Sequence, residues 1–201
     1  MNTTTPDVAA LFPVHPETLE ALHSRLVQAA EREGLLDVAY CTVDTPVGPL
    51  LLAATGIGLV RVAYQREGFD HVLQTLADKI SPRILLAPKR LDDAARQIDE
   101  YFAATRRRFD LPLDHALSAG FRKTVQEMLP SIAYGHTATY KEVAETVGNP
   151  RAVRAVGTAC ATNPLPIVVP CHRVLRSDGS LGGYVGGTEA KTTLLELEHA
   201  A

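Results

Sequence analysis

The sequence predicts an α+β protein with two domains behind an N-terminal extension. Residues 40–62 have the apolar and β-branched composition of strands, interrupted by two glycine-containing turns. Residues 69–79 and 91–104 have the pattern of helices, and from residue 118 onward the pattern is mainly helical. We therefore expect an extension at 1–37, a mixed α/β domain at 38–115 and a mainly α domain at 118–201.

Composition and cysteine usage exclude several classes of protein. Of 201 residues, 46% are hydrophobic and 21% charged, as in ordinary globular domains. No apolar stretch is as long as a membrane span, and the N-terminus lacks the basic and apolar regions of a secretory signal. Three cysteines, an odd number, argue against a disulfide framework and predict a reducing, cytoplasmic environment.

The net charge of −3 does not by itself suggest a nucleic-acid partner. The charge is uneven, however, because eight basic and seven acidic residues follow residue 115 and most of the negative charge precedes it. A nearly neutral domain can bind phosphates if its cations share one face, with weak and salt-sensitive affinity.

The extension contains one predicted amphipathic helix. Leu19, Leu22 and Leu26 have helical spacing, Pro16 suits the first turn and Gly34 suits the end. We expect the leucines to pack on the body of the protein, and a partner-binding helix is the alternative.

The second domain contains a predicted helix-turn-helix. After a helix at 121–129, Thr139 and Glu142 have the spacing of a capping box that begins a helix at 140–147. A Gly-Asn-Pro turn separates that helix from another at 151–161. This motif alone is weak evidence for DNA binding, because antiparallel helices also pack in many all-α domains.

Cys171 and His172 follow an apolar run and are the strongest candidates for chemistry. A thiol reacts as its thiolate, and an unperturbed pKa near 8.5 leaves a few per cent ionised at neutral pH. We expect the neighbouring imidazole and arginines to lower the pKa of Cys171, and the imidazole to supply the base. A buried, unreactive cysteine is the alternative for such a pair taken alone.

Short motifs surround this pair in a fixed order. They are Asn163-Pro164, Pro170-Cys171-His172-Arg173-Val174, Ser177-Asp178-Gly179, Gly182-Gly183-Tyr184-Val185-Gly186-Gly187, Lys191 and Leu194-Leu195-Glu196-Leu197-Glu198. Together they resemble the active-site domain of the methylated-DNA–protein-cysteine methyltransferases, which repair O6-alkylguanine. The resemblance is dense over 121–198 and weaker over 40–54. Gln126 stands where that family often has tryptophan, and we expect looser packing there.

The resemblance implies a fold and a reaction. The first domain would be ribonuclease H-like, with a three-stranded sheet and helices, and the second a winged helix-turn-helix. The alkyl group of O6-alkylguanine, and with less support that of O4-methylthymine, would pass to Cys171 in one irreversible step. No cofactor is implied, and the scattered histidines of the first domain lack the spacing of zinc ligands, so we expect no metal.

The resemblance also implies catalytic roles. Glu198 would orient His172, which would take the proton of Cys171 through a water molecule. Tyr140 would donate to N3 of the departing guanine, and Asn163 would hold the turn that carries the cysteine.

Double-stranded DNA is the implied partner. The second helix of the motif would enter the minor groove without sequence preference, and the damaged nucleotide would rotate out of the stack. Arg154 would fill the gap, and Tyr140 would turn the 3′ phosphate. The other implied DNA contacts are Lys141, Asn149, Arg151, Arg122 and Ser177. We expect a nucleoid-bound protein that is monomeric in solution, without membrane association, and leave open its cooperative assembly on DNA.

Backbone groups would recognise the flipped base. The carbonyls of Cys171 and Val174 would accept from its exocyclic amine, and the amide of Val185 would donate to O6. Pro166 and Gly186 would line the pocket, which we expect to admit O6-benzylguanine as a pseudosubstrate.

Other classes of protein stay open at this point. One is a non-enzymatic binder of alkylated bases with the same fold, against which the presence of Cys171 argues. Another is a helix-turn-helix regulator with a structural Cys-His pair, or a cysteine hydrolase. No residue pattern marks the oxyanion hole that a hydrolase needs.

Overall fold

The computed structural model describes residues 16–199. The chain divides after Leu36 into two compact units. The first contains helix α1, Pro16–Arg32, and the three leucines of its predicted apolar face are 52 to 54% exposed. None of the described helices has the length and apolar character needed to cross a bilayer.

The second unit begins with a mixed sheet. Its strands are β1, Val38–Val43; β2, Leu50–Ala54; β3, Leu59–Tyr64; and β4, Ile84–Leu86. Their order is β3-β2-β1-β4, with β4 parallel to β1 and the other neighbours antiparallel. The expected sheet had three strands. β4 adds a fourth that has only three residues, too few for an alternating pattern to reveal.

Apolar side chains of the sheet and of the next helix form a core. Helix α2, Phe69–Lys79, contributes Val72 and Leu76. They pack against the strand residues Val38, Leu51, Ala53, Val60 and Ala63. Burial of each larger side chain contributes about 1.5–3 kcal/mol. Strand β3 is thereby fixed in place up to its last residue, Tyr64, which is 2% exposed.

Helix α3, Asp92–Phe102, follows a 3-10 turn at Pro88–Leu91. The predicted helix ended at residue 104. The α-helix ends two residues earlier because Ala104 has a φ of 57°, in the left-handed region that no α-helix contains. Its last turn carries Tyr101, which is fully buried.

The rest of the unit is mainly helical. Its elements are α4, Gly120–Met128; β5, Ala138–Thr139; α5, Tyr140–Thr146; α6, Val153–Ala161; β6, Val174–Leu175; and α7, Gly187–Leu197. Strands β5 and β6 pair in parallel. Helices α5 and α6 form the expected helix-turn-helix.

The start of each of these two helices has a local cause. At α5 the predicted capping box is confirmed, since the Glu142 N–H donates to Thr139 Oγ1 at 3.2 Å and the Thr139 N–H donates to the Glu142 carboxylate at 2.6 Å. Helix α6 begins two residues later than expected. The Ala152 N–H donates to the Asn149 carbonyl at 2.9 Å, which closes a turn before the helix.

Gln126 on α4 is buried, and both polar atoms of its amide make hydrogen bonds. Ser118 donates to Oε1 at 2.5 Å, and Nε2 donates to the Ala159 carbonyl of α6 at 3.0 Å. The bond to Ala159 ties α4 to the second helix of the motif, at the position where we expected looser packing.

Candidate active site and nucleic-acid interface

Cys171 lies in a buried 3-10 turn, Cys171–Arg173, and is 2% exposed. The side chain of Asn163 holds this turn by two hydrogen bonds: Nδ2 donates to Cys171 Sγ at 3.2 Å and to the Val169 carbonyl at 2.8 Å. Its Oδ1 accepts from the Leu165 N–H at 3.0 Å. One amide thus connects the segment before the cysteine to the cysteine itself.

The carboxylate of Glu198 is the centre of the polar network behind the cysteine. His172 Nε2 lies 3.0 Å from Oε1, and Tyr101 donates to the same oxygen at 2.7 Å. Arg173 donates from Nε to Oε2 and from Nη2 to Oε1, each at 2.8 Å. Burial opposes ionisation of Glu198, but hydrogen bonds from His172, Arg173 and Tyr101 together lower its pKa to about 2. Glu198 is therefore an ionised, buried carboxylate.

This carboxylate fixes the state of the imidazole. Burial lowers the pKa of His172, although Glu198 opposes the effect, so the ring is neutral at pH 7. Because Nε2 faces an ionised carboxylate, we assign the ring proton to Nε2. Nδ1 then carries a lone pair, and among the described residues it is the one buried side-chain nitrogen or oxygen without a hydrogen-bond partner. His172 thus presents an unused base inside the protein.

The resting state of the thiol differs from the expectation. Burial raises the pKa of Cys171 to about 11, although the Asn163 hydrogen bond and the charge of Lys191 work in the opposite direction. The expected lowering by histidine and arginines is wrong for this state, because the histidine is neutral and Arg173 is paired with Glu198. Cys171 is a protonated thiol that needs a base at the moment of reaction.

One of the expected substrate-binding groups already accepts a buried hydrogen bond. The Val174 carbonyl accepts a hydrogen bond from Lys191 Nζ at 2.6 Å, and Lys191 is fully buried. A carbonyl oxygen has two lone pairs, so one stays available. Pro166 is buried, whereas Val185 and Gly186 are partly exposed.

Tyr140 opens α5 and is partly buried. Its hydroxyl occupies the space where a Cβ of Gly182 would stand. Burial raises the pKa of Tyr140, and the thiols of Cys160 and Cys171 add to this effect. Tyr140 therefore keeps its phenolic proton at neutral pH.

The residues expected to contact DNA lie at the surface. Arg154 and Arg151 are exposed at and just before α6, and the Cβ position of Gly157 on that helix faces open space. The remaining expected contacts, also exposed, are Lys141, Asn149, Arg122 and Ser177. The structure leaves the backbone of α6 accessible to a partner near Gly157.

Sequence reasoning missed several residues of the site. Lys191 and Tyr184 lie within the motifs but were given no role, and Arg173 was expected only to lower the pKa of Cys171. Tyr101 and Tyr64 come from the first half of the chain, and nothing in their local sequence marks them, because their contacts are made over more than 70 positions.

Comparison with known proteins follows the same division of the chain. Residues 38–115 match the model of the 6-O-methylguanine DNA methyltransferase ribonuclease-like domain, and residues 120–200 that of the DNA-binding domain. A methylated-DNA–protein-cysteine methyltransferase of Methanosarcina barkeri is 41% identical over 79% of this chain and 96% of its own. The constitutive enzyme of that name from Bacillus subtilis is 38% identical over 79% of this chain and 94% of its own.

Solved structures give the same result. The crystal structure of the Mycobacterium tuberculosis O6-methylguanine methyltransferase superposes with a TM-score of 0.71 at 37% identity, over 81% of this chain and 93% of that one. A complex of the same organism's protein with DNA gives a TM-score of 0.68 over the same shares. By sequence and by structure, this chain belongs to the methylated-DNA–protein-cysteine methyltransferase family.

Proposed function

We propose that this protein repairs O6-alkylguanine in duplex DNA by transferring the alkyl group to Sγ of Cys171. The observation that carries this proposal is the buried, unpartnered Nδ1 of neutral His172, the residue that directly follows the protonated Cys171 in the chain. This arrangement holds a nucleophile and its base ready, and the family's relatives are named for transfer to cysteine.

The transfer is a single displacement. A water molecule passes the thiol proton to Nδ1 of His172, and the thiolate attacks the alkyl carbon as its bond to O6 breaks. The bonding electrons go to O6, and Tyr140 protonates the departing guanine at N3. The Tyr140 phenolate then regains a proton from the His172 imidazolium, so both side chains are restored and the net change is one proton lost by the thiol and one gained by guanine.

Removal of the Cys171 proton by His172 has a large effect on the rate of transfer. With a pKa of about 11, only about one Cys171 in ten thousand is ionised at pH 7. Glu198, held by Arg173 and Tyr101, stabilises the positive charge that forms on His172. The thioether product is stable, and nothing in the scheme removes the alkyl group, so each molecule reacts once.

Recognition of the damaged base uses backbone groups. The carbonyls of Cys171 and Val174 accept from the guanine amine, and the Val185 N–H donates to O6. Pro166 and Gly186 bound the space for the alkyl group. These contacts do not depend on the alkyl group itself, so O6-benzylguanine is a further substrate to test. O4-methylthymine has no exocyclic amine for the two carbonyls, and its reaction would test how far the transfer depends on them.

The DNA is bound through α6 in the minor groove, without sequence preference. Flipping a nucleotide costs a few kcal/mol of stacking and pairing. Arg154 fills the vacated space, and Tyr140 turns the 3′ phosphate. Exposed Lys141, Asn149, Arg151, Arg122 and Ser177 contact the backbone. We propose a monomer in the cytoplasm, bound to the nucleoid, whose three buried free cysteines suit a reducing compartment.

Mass spectrometry after incubation with an O6-methylguanine duplex tests the proposal. We expect a gain of one methyl group on the peptide that contains Cys171, limited to one per molecule, and no gain in Cys171→Ser. Binding without mass change would indicate a non-enzymatic binder of alkylated bases. Methylation at another residue, or repeated turnover, would contradict the assignment of Cys171.

A further inference from the structure

Residues 182–187 form a loop with four glycines next to the nucleophile. Glycine loses more backbone freedom on ordering than other residues, so this loop needs contacts from outside to hold one conformation. Side chains from elsewhere supply them at positions where a Cβ would collide. These pairs are Gly182 with Tyr140, Gly186 with Tyr64, and Gly187 with Arg66.

Tyr64 makes the most extensive of these contacts. Its ring carbons lie 2.6 to 2.8 Å from the place of a Gly186 Cβ. Its hydroxyl lies 2.9 Å from the hydroxyl of Tyr184, and the two rings meet edge to face with centroids 5.8 Å apart. The Tyr184 ring in turn lies edge to face with His172, at 6.3 Å between centroids.

The strand that carries Tyr64 also holds the other side of the nucleophile. The Val62 N–H of β3 donates to the Pro164 carbonyl at 2.9 Å, and Arg61 Nη1 donates to the same oxygen at 3.1 Å. Strand β3 is fixed by the core of the first sheet. It therefore serves as a rigid support for the segments on both sides of Cys171.

We propose that Tyr64 is a positioning residue for alkyl transfer, which acts by holding Tyr184 and thereby the peptide bond between Tyr184 and Val185. This inference rests on the proposed function, in which the Val185 N–H donates to O6 of the flipped base. Negative charge develops on O6 as the carbon–oxygen bond breaks, so a well-directed donor strengthens its bond in the transition state. The phenol–phenol bond thus affects the rate of transfer more than the affinity for DNA.

The test is Tyr64→Phe, which keeps the ring on Gly186 and removes one hydroxyl. We expect alkyl transfer in the saturated complex to slow about threefold to tenfold, the range for one hydrogen bond. The slowing is the same for an O6-methylguanine duplex and for free O6-benzylguanine, and the Kd for DNA is unchanged. Tyr40→Phe, on β1 of the same sheet, is the matched control and reacts at the wild-type rate.

Tyr184→Phe and the double variant distinguish positioning from a general loss of stability. Because both single variants break the same bond, we expect the double variant to be no slower than the slower single one. In 15N spectra, the Val185 amide resonance shifts in Tyr64→Phe and not in Tyr40→Phe. If Tyr64→Phe fails to fold, Tyr184→Phe supplies the same comparison.

The outcomes separate this inference from the proposed function. A wild-type protein that is not alkylated overturns the proposed function itself. A reactive wild type, with Tyr64→Phe equally fast or with additive losses in the double variant, overturns only the role of Tyr64.

Discussion

Arg173 and Glu198 form a bidentate ion pair in which Nε and Nη2 each lie 2.8 Å from a different carboxylate oxygen. Both residues are buried, at 5% and 2% exposure. Arg173 follows His172 in the chain, and Glu198 faces the imidazole of His172. A pair of this kind contributes geometry more than net stability, but removal of one partner leaves a buried charge.

Glu198→Gln should therefore destabilise the protein strongly. The neutral amide leaves Arg173 charged and buried, and we expect a loss of about 3 kcal/mol in the free energy of unfolding. Chemical denaturation measures it. The control is Glu196→Gln, an exposed position on α7, for which the change stays within about 0.5 kcal/mol. Equal losses in the two variants would show that the ion pair contributes no more to the free energy of unfolding than an exposed carboxylate does.

Acid should lower the free energy of unfolding in two successive pH ranges. The folded pKa of His172 lies below its ordinary 6.5, so stability falls as the pH drops below 6.5, where only the unfolded chain binds that proton. The folded pKa of Glu198, about 2, lies below its ordinary 4.5, so its contribution is complete above pH 4.5 and is lost from there toward pH 2. This second loss amounts to about 3 kcal/mol.

Denaturation curves at a series of pH values test both stages. Glu198→Gln should flatten the dependence between pH 4.5 and 2, since the titrating group is gone. An unchanged slope in that variant would assign the acid sensitivity to other carboxylates.

The rate of transfer should depend on His172 as a base. With a neutral imidazole and a thiol pKa of about 11, we expect the wild-type rate to be flat between pH 7 and 9 and to fall in acid, as His172 is protonated. His172→Ala should be slower by about 10²–10⁴ at pH 7 and should recover about tenfold per pH unit as hydroxide ionises the thiol. Reaction with O6-benzylguanine, followed by mass, supplies the rates.

His71→Ala is the matched control, because His71 is exposed on α2 and belongs to no part of the site. It should have the wild-type profile. A flat profile for His172→Ala at the wild-type level would mean that the thiol loses its proton without the imidazole.

Arg154→Ala should separate the handling of DNA from the chemistry. Arg154 is exposed on α6, and the hydrogen bonds described for Glu198 go to other residues. We therefore expect slow repair of duplex O6-methylguanine and a nearly normal reaction with free O6-benzylguanine. Lys89→Ala removes an exposed cation outside the helix-turn-helix and should affect neither substrate. Equal losses of Arg154→Ala on both substrates would contradict a role in nucleotide flipping.

The sequence was most informative where the residues that act together are close together in the chain. Cys171, His172 and the Thr139–Glu142 capping box are neighbours or near neighbours in the chain, and the structure places them as expected. The sign of the Cys171 pKa shift was wrong because burial depends on the whole fold, whereas the sequence shows only adjacent charges. Tyr101 on α3 and Tyr64 on β3 reach the site through tertiary packing, which leaves no local pattern.

The high pKa of Cys171 has a consequence for a protein that is consumed by its own reaction. Peroxides and adventitious electrophiles attack thiolates, and the buried resting thiol offers them almost none. Each molecule therefore keeps its one reactive thiol unmodified until it meets a lesion. The number of unreacted molecules then limits how many lesions a cell can repair. Burial of the nucleophile determines how long each molecule stays able to react.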